Sequence, residues 1–90
     1  MASGKSLQVE VVSHEGRLWH GAAASVQFPT VDGGLGVLPG RQPLLAQLSE
    51  GTVIVSRADE VVSFEVTGGF ASVDSDFITV VADRATVASQ

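Results

Sequence analysis

Asp32-Gly33-Gly34-Leu35-Gly36-Val37-Leu38-Pro39-Gly40-Arg41-Gln42-Pro43-Leu44 is the stretch around which this chain is organised. It holds four of the ten glycines and two of the three prolines, wrapped around the short apolar run Leu35, Val37 and Leu38. Glycine supplies positive φ and proline fixes its own φ, so the stretch reads as a brief strand, Leu35 to Leu38, between shaped turns. It contains no nucleophile beside a base, no metal-ligand cluster and no Gly-Lys-Ser/Thr to cradle a phosphate. Its purpose is therefore shape.

Outward from this stretch the pattern is one of short strands. Leu7, Val9 and Val11 alternate with Gln8, Glu10 and Val12, the period-two signature of a half-buried strand. His14-Glu15-Gly16 turns the chain back through Arg17 to Gly21, which predicts a hairpin. Ser25 to Phe28 is a further strand, expected to stop at Pro29 because proline cannot donate to a ladder. Pro43 to Leu48 is a short apolar run that fits a helical turn or a buried strand equally well. Thr52 to Arg57 is β-branched, and Val62, Phe64 and Val66 alternate with Ser63, Glu65 and Thr67. Gly68-Gly69 breaks or bulges the pattern, Phe70 to Val73 resumes it, and Asp74-Ser75-Asp76 turns. Phe77 to Ala82 is apolar on both sides, which predicts a central strand covered on both faces. The residues after Asp83 are read as the possible start of a helix, too short to be stable alone. The sum is an all-β fold, a flattened β-sandwich or barrel of about eight to ten short strands.

Ninety residues make one domain with a small core. Ten acidic against five basic residues give a formal charge of −5, and the basic residues are scattered singly. This argues against nucleic acid and against an anionic membrane surface as partners. Without cysteine there is no disulfide or thiolate chemistry. No apolar stretch has the form of a signal peptide or a membrane span.

With those strands in place, Gly34-Leu35-Gly36-Val37-Leu38-Pro39-Gly40 followed by Pro43-Leu44 resembles the signature of the epsilon subunit of bacterial F-type ATP synthase. Three further segments agree in order: Val9 to Ser13 with Trp19-His20-Gly21, then Val66 to Phe70, then Thr79 to Ala85. The resemblance spans about Leu7 to Ala85. It implies a non-catalytic central-stalk subunit, without cofactor, that binds gamma and the c ring and couples ion-driven rotation to ATP synthesis. It would lie peripherally at the cytoplasmic face of the cell membrane. The domain plan it implies is a loose amino terminus at 1–6, an epsilon-like sandwich at 7–85, and at 86–90 a tail where the family's two carboxy-terminal helices would begin. Carried over by position, the gamma-facing residues are Ser13, Arg41, Ala46 and Thr67, and the c-ring contact is Asp32, Gly33 and Gly34. Family members commonly have histidine where Arg41 stands and an acidic residue where Gly34 stands. Arg41 keeps the capacity to hydrogen-bond a partner, bidentately, and Asp32 can supply the charge.

Other features have plainer readings. His14 and His20 could approach one another across the hairpin, but lack the carboxylates or third ligand that a metal or catalytic site needs. Asp74 and Asp76 resemble the start of a calcium loop whose remaining ligands are missing, so turn chemistry suffices. No Ser, His and Asp grouping supports a hydrolase. Trp19 carries the alternative function, a stand-alone module binding carbohydrate, and is otherwise a core or edge-packing residue.

Overall fold

Alternation of valine and other apolar residues with polar ones becomes ten strands in the computed structural model, which describes residues 6–89. They are β1 (Leu7–Ser13), β2 (Gly16–Ala23), β3 (Ser25–Thr30), β4 (Gly33–Val37), β5 (Leu44–Leu48), β6 (Gly51–Ser56), β7 (Val61–Val66), β8 (Gly69–Asp74), β9 (Phe77–Ala82) and β10 (Ala85–Ser89). Of the amino terminus expected to be loose, 1–6, residues 1–5 lie outside the described residues, and Ser6 is exposed ahead of β1. No helix is present among the described residues, and none is therefore long and apolar enough to cross a membrane.

The strands hydrogen-bond in the order β10-β7-β6-β3-β5-β8-β9-β1-β2, with β4 paired to the other edge of β3. β3 is the corner of the sandwich. Ser25 to Gln27 pair with β6 in one layer, while Thr30 pairs with Leu48 of β5 in the other. β2 and β10 come alongside each other where the sandwich nearly closes. Trp19 of β2 spans that seam, its ring centroid 6.0 Å from Phe64 of β7 and tilted by 58°.

Inward positions from all ten strands but β10 build one core, in which Leu7, Val11, Val26, Val53, Val55, Phe64, Ile78 and Val80 are wholly buried. No polar or charged residue is buried among the described residues. The small size of Val and Ala lets the two layers approach closely, and the two phenylalanines Phe28 and Phe64 fill the middle.

Successive strands run in opposite senses, so their connections collect at two ends. One end carries five connections of two residues each: His14 and Glu15, Val31 and Asp32, Ser49 and Glu50, Thr67 and Gly68, Asp83 and Arg84. The other carries Ala24, the longer loop 38–43, the segment 57–60 and the turn at Ser75 and Asp76.

Four expectations change. β3 does not stop at Pro29 but continues to Thr30. Pro29 faces Gly34 in the ladder with β4, next to the closing pair Thr30 and Gly33, and its absent N–H falls where β3 exchanges β6 for β5. No ladder bond is lost there, and the Pro29 carbonyl accepts from Ser49 N (3.0 Å). The run Pro43 to Leu48 resolves as strand β5, yet Leu45 is 73% exposed, so it is not a buried strand. β9 is central in the sheet but covered on one face only, with Phe77 and Val81 exposed. Finally, the segment after Asp83 is strand rather than the start of a helix, because β10 finds an antiparallel partner in β7.

Candidate docking surface

The layer formed by β5, β8, β9 and β1 has an outer face whose register can be followed across the sheet. Gln47 stands opposite Phe70, Phe70 opposite Val81, and Val81 opposite Val12. Leu45 lies diagonal to Phe70, two pairs along in the β5–β8 ladder and on the same face. Leu45, Phe70, Val81 and the half-buried Val12 thus form a diagonal apolar band, and Phe77 stands exposed at the far end of β9. A shallow depression between Phe70 and Val81 is bounded by Gln47, Gly69 and Asp83. On the β2 side the band is rimmed by the Arg17–Glu10 ion pair (Nε to Oε2, 3.0 Å). An apolar band with a polar rim on a flat sheet has the anatomy of a protein-binding surface.

The backbone beneath this band is fixed by Gly69. Its φ is +123°, and a Cβ there would stand 2.0 Å from the Val81 carbonyl oxygen and 2.8 Å from Ala82 Cα. Only glycine lets β8 approach β9 this closely at the head of their ladder. The Asp83 N–H donates to the Gly68 carbonyl (2.9 Å), and His14 Nδ1 bonds the Asp83 carbonyl (2.8 Å), which ties the β1–β2 turn to the same junction.

The residues carried over from the family motif do not converge on one point. Ser13 and Thr67 lie at the end with the five short turns, both close to the 82–84 segment: Ser13 pairs with Ala82, and Thr67 N–H donates to the Arg84 carbonyl (3.2 Å). Ser13 also caps its own turn, its Oγ accepting from Glu15 N (3.2 Å). Ala46 is half-buried in mid-strand opposite Ala71. Arg41 is exposed in the loop 38–43 at the opposite end, without a hydrogen bond or ion pair among the described residues. The set therefore runs along the length of the β5–β8–β9 layer.

Asp32, Gly33 and Gly34 are all exposed on the β3–β4 hairpin. Thr30 braces it: Thr30 Oγ1 donates to the Gly33 carbonyl (2.5 Å) and accepts from Asp32 N (3.1 Å), while Gly33 sits at φ +115°. These two bonds brace the hairpin tip. Glu15, Glu50 and Asp83 stand on the neighbouring turns of the same end.

His14 and His20 are not brought together. His14 is in the turn and His20 stands in mid-strand opposite Glu10, about 13 Å along the ladder at the usual rise per residue. Trp19 offers no free platform, since Phe64 packs against it, the Arg57 guanidinium carbon stands 5.6 Å from its ring centroid, and the ring covers Gly21. No group of three or more potential metal ligands occurs among the described residues. Sequence reasoning missed Leu45 as an exposed residue and missed Thr30 and Asp76 as braces. The presence of Phe77 and Val81 on the second side of the apolar strand Phe77 to Ala82 was the available signal for the open face.

The fold and its surface define a β-sandwich module that presents one flat apolar face and one end of rigid short turns. Residues 6–88 match the family model for ATP synthase, Delta/Epsilon chain, beta-sandwich domain, and the chain belongs to that family. It is 45% identical over 80 residues to the ATP synthase epsilon chain of Micrococcus luteus, covering 88% of each chain. To the epsilon chain of Corynebacterium jeikeium it is 46% identical over 86 residues, covering 93% of this chain and 70% of that one. Among solved structures, a chain of the Euglena gracilis mitochondrial ATP synthase OSCP/F1/c-ring assembly superposes with a TM-score of 0.85 at 21% identity. That match covers 96% of this chain and 57% of the other, and it shows the shared fold.

Proposed function

We propose that this chain is a non-catalytic central-stalk subunit of an F-type ATP synthase that docks gamma through the outer face of β5, β8 and β9. The carrying observation is the band Leu45, Phe70, Val81 and Val12, left open on a sheet whose other side is fully packed. Full burial of one such side chain contributes about 1.5–3 kcal/mol, so a few of them suffice to hold a permanent partner. Ser13, Arg41 and Thr67 lie at the ends of this layer and supply polar contacts around the band, while Ala46 keeps β5 thin beneath it. The end bearing Asp32, Gly33 and Gly34 faces the c ring, where its rigidity transmits torque without slipping. The domain thereby fastens gamma to the ring, so that rotation driven by an ion gradient reaches the catalytic head. This puts it peripherally at the cytoplasmic face of the cell membrane, held there by the complex.

Titration of the folded chain with cognate gamma tests the reading. A complex forming below micromolar concentration, and weakened about tenfold or more on Phe70→Asp, is the expected result. No complex at micromolar concentrations with both proteins folded overturns it.

A further inference from the structure

The β8–β9 turn is built against local preference. Ser75 and Asp76 both have positive φ, 53° and 64°, the pattern of a type I′ hairpin turn. Such turns favour Asn-Gly or Asp-Gly, because a side chain in the left-handed region costs about 1–2 kcal/mol per residue. A glycine would satisfy the backbone at Asp76 better than aspartate does. Aspartate does something glycine cannot: its Oδ1 accepts a hydrogen bond from the backbone N–H of Gly40, at 2.7 Å and 36 residues away. The Asp76 carbonyl meanwhile accepts from Gln8 N (2.8 Å), which anchors the turn to β1.

Gly40 lies in the loop 38–43, the longest connection among the described strands and the one that carries Arg41. Gly40 itself has a φ of +87°, and no atom crowds it from the side. Apart from its covalent ends on β4 and β5, the side-chain bond from Asp76 is the hydrogen bond that holds this loop to the sandwich among the described residues. Leu38, exposed by 66%, adds little packing.

We infer that Asp76 is a positioning residue. It clasps Gly40 and so fixes the loop 38–43, and with it the backbone from which Arg41 projects, in the position that the partner meets. This rests on the docking reading above, in which Arg41 faces gamma. An unclasped loop would have to lose its freedom on binding, and the bond removes that cost beforehand.

Asp76→Gly separates the clasp from the turn, because it keeps the left-handed backbone and deletes the acceptor. Asp76→Asn keeps both. Amide hydrogen exchange at Gly40 in the free domain and affinity for gamma are measured for each. In Asp76→Gly, Gly40 exchange is expected to rise about tenfold and gamma affinity to fall about fivefold, with the thermal midpoint held or raised; Asp76→Asn should restore both. Unchanged exchange at Gly40 in Asp76→Gly overturns the clasp whether or not gamma binds. Faster exchange with unaltered gamma affinity overturns the positioning role alone. Failure of the unaltered chain to bind gamma overturns the docking reading and the positioning role built on it, and leaves the exchange result to decide the clasp.

Discussion

The two outer faces of this sandwich cover the same core and differ in what they turn outward. On β6 and β7 the outward residues are Thr52, Ile54, Ser56, Val61, Ser63 and Glu65, and polar groups alternate with apolar ones across the ladder: Ile54 meets Ser63, Ser56 meets Val61, and Thr52 Oγ1 donates to Glu65 Oε2 (2.7 Å). On β8 and β9 the paired Phe70 and Val81 stand together, continued by Val12 and Leu45. Each face follows the period-two rule on its inner side. The outer residues alone distinguish a face of mixed polarity from one with a continuous apolar band, and they do so by adjacency across strands that sequence separation conceals.

The comparison is broken most severely at the backbone under the apolar face. Gly69→Ala drives a Cβ into the Val81 carbonyl at positive φ, and should cost about 3 kcal/mol or more, lowering the thermal midpoint by roughly 15 °C. Circular dichroism melting checks it. Next, Phe70→Thr with Val81→Thr should weaken gamma binding by about a hundredfold while the isolated domain keeps its midpoint within a few degrees. Equal losses of stability and affinity would mean that the face is structural. Leu45→Ser, at the edge of the band, should cost about tenfold in affinity. Glu65→Ala on the polar face should change both affinity and stability by less than about 0.5 kcal/mol, since the group is exposed. Of similar size, Gly36→Val on β4 should be tolerated or raise stability by about 0.5 kcal/mol. Gly36 has no positive φ, and its nearest neighbour is Gln27 Cγ at 4.0 Å.

That last residue qualifies how the glycine-rich stretch is to be understood. Of Gly33, Gly34, Gly36 and Gly40, only Gly33 and Gly40 adopt positive φ, and nothing crowds any of the four. The most constrained glycine is Gly69, in a two-glycine step that reads in sequence only as a break or a bulge. Its necessity comes from the Val81 carbonyl, which a strand twelve residues further on supplies. Pro29 teaches the same lesson in reverse. As a local rule it ends a strand, yet β3 changes partners at that point and has no ladder bond to lose. The clasp between Asp76 and Gly40 was equally hidden, because the sequence of a turn does not say what its side chain will reach.

Alternation in the chain determined by itself that Val62, Phe64 and Val66, or Leu7, Val9 and Val11, would face one way, since successive side chains on a strand must point to opposite sides. It also determined the short turns, through glycine and through small polar residues, and the motifs that mark the family. Which strands become neighbours, and therefore which outward residues join into a surface, was decided only in three dimensions. Phe77 to Ala82 shows why: an apolar strand is equally compatible with a second covering layer and with an open face. Among the described residues no element packs on the outside of β9, so Phe77 and Val81 stand exposed.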